Sequence, residues 1–166
     1  MTVHVGLGRD STDGLSWDST NAGLRRLVHT ADDMGLRICL ENLASGWTSR
    51  PERFAELLRN SGCRGTLDVG HARVCEQVVS GNCEVEDFTR PQPERFRNAH
   101  IYHEEAPMLG HVPPRELADI HDRLRLLRSL PLCDWWVLEL RTEADVLQTL
   151  SLTREFLDSE VTMQAM

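Results

Sequence analysis

Five short apolar runs, each followed by a stretch with helical periodicity, most constrain what this 166-residue chain can become. The runs are Thr2–Leu7, Leu36–Asn42, Arg64–Val69, Asn98–His103 and Trp135–Leu140. Helix-like stretches alternate with them over about Ser19–Met34, Pro51–Asn60, His71–Val79, Arg115–Leu130 and Glu143–Ser159. Strands that alternate with helices need crossover connections, which makes the strands parallel and the fold α/β. A doubly wound sheet and a barrel both satisfy this. The G-x-G-x-x-G loop of a dinucleotide fold is absent, because Gly6-Leu7-Gly8 is too little of it. The strand ends must therefore decide.

Local signals support the helices. Ser49-Arg50-Pro51-Glu52 reads as a capping box with Pro51 in the first turn. Phe54, Leu57 and Leu58 supply a helical stripe, and Gly62 stops it. Leu117, Ile120, Leu124, Leu127 and Leu130 keep helical spacing up to Pro131. Thr142 is placed to cap the last helix, whose apolar face is Val146, Leu147, Leu150 and Phe156.

Each predicted strand carries one polar residue between apolar neighbours near its C-terminal end. The cores read Val3-His4-Val5, Leu40-Glu41-Asn42, Leu67-Asp68-Val69, Ala99-His100-Ile101 and Leu138-Glu139-Leu140. Side chains alternate along a strand, so the apolar neighbours face covering helices while His4, Glu41, Asp68, His100 and Glu139 all face the other way. The spacings between these five are 37, 27, 32 and 39 residues, each suited to one βα unit. Any one such residue alone reads as an edge or solvent-facing group; five in register do not. Three carboxylates converging away from water repel one another and lose hydration. A divalent cation bound by oxygen and nitrogen ligands resolves both costs.

Charge and cysteine content narrow the classes. Net charge is −8, with 26 acidic residues against 18 basic ones, and no basic stripe appears, which disfavours a nucleic-acid partner. Cys39, Cys63, Cys75, Cys83 and Cys133 include no C-x-x-C pair, so free thiols are expected. No run of 18 apolar residues predicts a membrane span, and Met1–Asp10 has no signal-peptide pattern, from which a cytoplasmic location is expected.

Cys39-Leu40-Glu41-Asn42, Leu67-Asp68-Val69-Gly70-His71-Ala72, Ala99-His100-Ile101 and Val137-Leu138-Glu139-Leu140 resemble the motifs of the xylose-isomerase-like TIM barrel superfamily. That group holds sugar isomerases, ketose 3-epimerases, inosose dehydratase and endonuclease IV. The resemblance runs from His4 to the last helix and implies one domain over residues 1–166. It implies that Glu41, Asp68, His100 and Glu139 bind one divalent metal ion (Mn, Mg, Co or Zn). Glu41 and Glu139 would also be the catalytic acid and base, moving a proton next to a carbonyl that the metal polarises. His71 would contact substrate oxygens. His4, His111, Trp47 and Arg141 are further substrate-binding candidates, Arg141 for an anionic group such as a phosphate. The implied activity is a metal-dependent sugar or sugar-phosphate isomerase or epimerase with a small carbohydrate as partner.

In the endonuclease IV branch, three zinc ions are bound. His4 would match a ligand of the first, and His71 and His111 ligands of the third. The D-x-H pattern of that branch is Leu109-Gly110-His111 here, without its aspartate, which makes a zinc phosphodiesterase the lesser alternative. A catalytically inactive partial barrel that binds a ligand or partner is another.

A complete barrel has eight βα units. The resemblance assigns this chain the C-terminal five, starting at the fourth strand. A fragment, a short-start product and a native partial barrel are all compatible with that. Open edges would favour a homo-oligomer.

Overall fold

The computed structural model describes residues 1–6, 12 and 14–164, with side chains through residue 160. In chain order the first elements are β1 (Thr2–Val3), α1 (Trp17–Asp33), β2 (Cys39–Glu41), α2 (Pro51–Ser61) and β3 (Arg64–Asp68). Two short helices follow, α3 (Val69–Val74) and α4 (Glu76–Val79), then β4 (Phe96–Ile101). A small hairpin of β5 (Glu104–Ala106) and β6 (Gly110–Val112) precedes α5 (His121–Ser129), β7 (Trp135–Leu138) and α6 (Glu143–Gln164).

One parallel sheet runs β1-β2-β3-β4-β7, as the alternation of runs and helices predicts. Its outward side chains form the core against the helices. Leu40, Leu67, Ala99 and Ile101 are fully buried with Phe54, Leu57 and Leu58 of α2, Leu124 and Leu127 of α5, and Phe156 of α6. Val3, Trp136 and Leu138 pack against the same core, partly buried.

The inward residues form layers. Thr2 and Thr66 hydroxyls lie 3.0 Å apart, Thr66 donates to the Asn98 side chain, and the Asn98 amide donates back to Thr2. Two residues further along their strands come His4, Asp68 and His100. Asp68 pairs with His100, but Glu41 pairs with Thr66 and His100 with Val137. The inward polar residues therefore climb by two residues across two of the strand pairs, from Glu41 to Asp68 and from His100 to Glu139. That stagger is what a closing barrel requires of tilted strands.

Several local expectations need correction. Ser49 does not cap α2: Arg50 occupies the cap position and the Ser49 hydroxyl donates to the Gly46 carbonyl at 2.9 Å. The cause is a 3-10 turn, Trp47–Ser49, which draws Ser49 into its own hydrogen bonding. The stretch His71–Val79 is two helices, because Cys75 adopts an extended conformation between them. The stretch Arg115–Leu130 opens with a separate 3-10 turn at Leu117–Asp119, so Leu117 lies outside α5. The first strand ends at Val3, and Leu7 lies outside the described residues. Gly62 does end α2 with φ of 80° in the left-handed region, and the Asp145 N–H does donate to the Thr142 hydroxyl at the start of α6. All five cysteines are free.

Candidate metal centre

Four of the predicted inward residues meet. Glu41, Asp68, His100 and Glu139 each offer a ligand atom, and these atoms all lie within 4.8 Å of one another. Glu41 ends β2, Asp68 ends β3, His100 is the fifth residue of β4, and Glu139 follows β7 directly. The Nδ1 atom of His100 sits 2.8 Å from Glu139 and 3.4 Å from Glu41. Glu41 and Asp68 are buried, whereas 43% of the Glu139 side chain is exposed.

Local structure explains the placement. Asp68 is the N-cap of α3, and its Oδ1 accepts from the His71 N–H at 2.7 Å. That leaves Oδ2 aimed at the cluster. Asn42 fixes Asp68 from the side: its amide donates to the Asp68 carbonyl, and its oxygen accepts from the Asp68 N–H. The Asn42 carbonyl in turn accepts from His71 Nδ1 at 3.2 Å. Replacing Asn42 with alanine would leave two buried backbone groups of Asp68 unpaired. A loss of about 2–4 kcal/mol is expected by urea denaturation, together with weaker metal retention. Unchanged stability would show that Asp68 is held by other contacts.

The donor set fits a cation. Asp68 Oδ2 is buried with no hydrogen-bond partner, and His100 Nδ1 faces the carboxylates of Glu139, Glu41 and Asp68 within 3.8 Å. Three carboxylates and an imidazole supply hard and borderline ligands to a divalent ion. In the metal-free protein, protonated imidazoles take over part of that role. Burial pushes the Glu41 carboxyl up, but hydrogen bonds from His100, His4 and His71 outweigh it and hold the group well below the usual carboxylate range. Glu139 is lowered by its hydrogen bond with His100. Burial raises Asp68 to about 6. His71 rises to about 9 and His100 to about 10, since their carboxylate partners outweigh the burial that would lower them.

These directions set a pH dependence. A histidine whose pKa is raised on folding stabilises the fold fully below the unfolded value of about 6.5, and that stability is lost as pH rises through the folded value. The metal-free chain is therefore expected to lose thermal stability between about pH 7 and pH 10. Over the same interval the site should bind a cation more tightly, because His100 must give up its proton to ligate. The buried thiols act in the same direction at the upper end, their pKa values being raised by burial. Calorimetry with a chelator and with added Mn²⁺ separates the two contributions. Metal-free stability that increases with pH across the interval would contradict this.

The structure places the remaining candidates as follows. His4 Nε2 is 3.0 Å from Glu41 Oε2, half exposed beside the cluster. His71 reaches Glu41 at 3.6 Å and Asp68 at 3.4 Å. His111 points its Nδ1 at the Glu139 carbonyl, 2.8 Å away. Trp47 instead packs edge-on against Trp17, with centroids 5.0 Å apart, at the margin of the core. Arg141 is exposed, with its guanidinium against Gly110.

Beside the cluster opens a cleft of about 630 Å³, lined by His4, Leu43, His71, Val74 and the segment Glu104–Pro107, among others. That segment lies between the predicted strand Asn98–His103 and the predicted helix that starts at Arg115. It forms the β5–β6 hairpin, in which Glu105 lies opposite His111. Glu105 Oε2 stands 3.2 Å from His111 Nε2 and 3.6 Å from His71 Nε2. These three residues are a second group able to hold a metal ion. Tyr102, also unforeseen, is fully buried, with its ring stacked on His111 at 4.0 Å and edge-on to His71 at 6.1 Å. No strand-like periodicity marks Glu104–Val112, so no sequence signal joined Glu105 to His111.

Parallel βα units whose candidate ligands sit at the C-terminal strand ends define a TIM-barrel architecture, and this chain shows five strands of that kind. Among solved structures, 3-keto-D-glucoside 4-epimerase (YcjR) from E. coli superposes with a TM-score of 0.64 at 17% identity, over 93% of this chain and 63% of that one. Endonuclease IV from Thermus thermophilus superposes with a TM-score of 0.56 at 15% identity, over 95% and 76%. In sequence, the uncharacterized protein MJ0008 of Methanocaldococcus jannaschii is 29% identical over 158 residues. The match covers 95% of this chain and spans 66% of the length of MJ0008. No model of a protein family matches the sequence. No helix among the described residues is long and apolar enough to cross a membrane.

Proposed function

We propose that this chain carries the site of a metal-dependent isomerase or epimerase that moves a proton next to the carbonyl of a small carbohydrate. One observation carries the reading: two carboxylates, Glu41 and Glu139, flank His100 in a four-ligand cluster that also includes Asp68. A divalent cation held by these four residues supplies Lewis-acid polarisation of a substrate carbonyl. The protein's own groups do the rest. Glu41, buried at the end of β2 and 3.4 Å from His100, is placed to take a proton from the carbon beside the carbonyl. Glu139, with 43% of its side chain exposed on the other side of His100, is suited to return one. His4 and His71 orient Glu41 through their contacts with its two oxygens.

The test is solvent deuterium incorporation into a panel of ketoses by the Mn²⁺-loaded protein. Exchange at one carbon beside the carbonyl is the expected result. No exchange with any ketose in a broad panel would count against the reading. A second reading, a zinc-dependent phosphodiesterase, is favoured by the His71–Glu105–His111 group. Elemental analysis separates the two: one ion per chain for the first, two or three zinc ions for the second.

A further inference from the structure

The cleft is continuous with the ligand cluster, because His4 and His71 line it and also reach Glu41 at 3.0 and 3.6 Å. Its ionisable side chains already face one another or a neighbour. The two histidines face Glu41, Glu104 faces Arg73 at 3.5 Å, and Glu105 faces His111 at 3.2 Å. Ser45 adds a hydroxyl. Most of the remaining described lining is apolar: Leu43, Ala44, Val74, Ala106 and Pro107. Leu43 and Ala44 come just after Glu41 at the end of β2, and Val74 lies one turn on from His71 in α3. Neither Leu43 nor Val74 is part of the hydrophobic core, so packing of the fold does not account for them. Beyond Pro107 the hairpin tip stays apolar and uncovered, with Met108 fully exposed and Leu109 67% exposed. Adjoining apolar groups left open to water beside a polar site mark a place where a ligand covers them.

We infer that this apolar wall is a subsite for an apolar substituent, so that the substrate is a sugar derivative carrying an aryl or alkyl group and not a free sugar. This rests on the isomerase reading above and narrows it. A free sugar presents hydroxyls on every side. Hydroxyls set against Leu43, Val74 and Pro107 lose water and gain no side-chain partner in return. An aryl or alkyl group in the same place removes its own apolar surface and that of the wall from water. Size agrees with this. A cleft of about 630 Å³ is of the class that encloses drug-sized ligands, which leaves space beyond a single sugar ring.

The test uses two chelating probes with the same metal-binding head, glycolohydroxamate and its benzyl ether, benzyloxyacetohydroxamate. Their binding to the Mn²⁺-loaded protein is measured by titration calorimetry. The benzyl ether is expected to bind at least about tenfold tighter. The double variant Leu43→Ser, Val74→Ser should shrink that ratio to about threefold or less, chiefly by weakening the benzyl ether. Manganese content and circular dichroism of the variant should match the parent. Should it fail to fold, Pro107→Ser on the exposed hairpin takes its place and should lower the ratio by at least about twofold. A benzyl ether that binds no tighter than glycolohydroxamate overturns the inference and leaves the isomerase reading standing. So does a ratio that the substitutions leave unchanged. If neither probe binds the metal-loaded protein, the isomerase reading falls and takes the inference with it.

Discussion

Replacing Glu41 with glutamine is expected to strip the site of its metal and to lower proton exchange by about a thousandfold. The substitution keeps size and shape and removes only the negative charge. That charge touches three imidazoles: His4 at 3.0 Å, His100 at 3.4 Å and His71 at 3.6 Å. It also provides one of the three anionic ligands of the four-residue cluster. Losing a positioning group alone costs metal sites about 10–100-fold in affinity, and losing a ligand should exceed that. Glu139→Gln should follow the same pattern with a smaller effect on metal, since that side chain is the more exposed of the two. Elemental analysis of both purified variants checks this. Full metal content in both would remove the assigned ligands from consideration.

Gly70→Ala is expected to be the most damaging small substitution for stability, at about 2–4 kcal/mol by urea denaturation. An ideal Cβ at Gly70 would stand 2.0 Å from Cε2 of Tyr102 and 2.4 Å from Cζ. Tyr102 has nowhere to go, because its ring is fully buried and stacked on His111. Pushing it moves His111, which is anchored to the Glu139 carbonyl, and so disturbs its contact with Glu105 as well. Tyr102→Leu in the Gly70→Ala background should recover much of the loss, giving a clear non-additive coupling between the two positions. Simple additivity of the two changes would show that the close approach is relieved some other way.

The fold was legible because alternation has only a few solutions. Runs such as Val3-His4-Val5 and Leu67-Asp68-Val69 sit between helical stretches, and parallel strands follow from the crossovers between them. The five inward residues were legible for the same reason, and the family resemblance chose Glu41, Asp68, His100 and Glu139 among them. A strand places every second residue on one face, so polar residues flanked by apolar ones at like positions must converge if the strands are parallel neighbours. The cap of α2 was misread because Ser49 had two competing uses, and a 3-10 turn took it first. The hairpin Glu104–Val112 was missed since Pro107, Met108, Leu109 and Gly110 carry no strand pattern.

Sequence alone determined the parallel α/β frame and the five inward residues at its strand ends, because side-chain period and βα spacing are local properties. Tertiary structure alone decided that Glu105 stands opposite His111, that Asn42 clasps Asp68 and that Gly70 must yield to Tyr102. Those relations join segments across the fold through packing and hydrogen bonds. No periodicity along the chain encodes them.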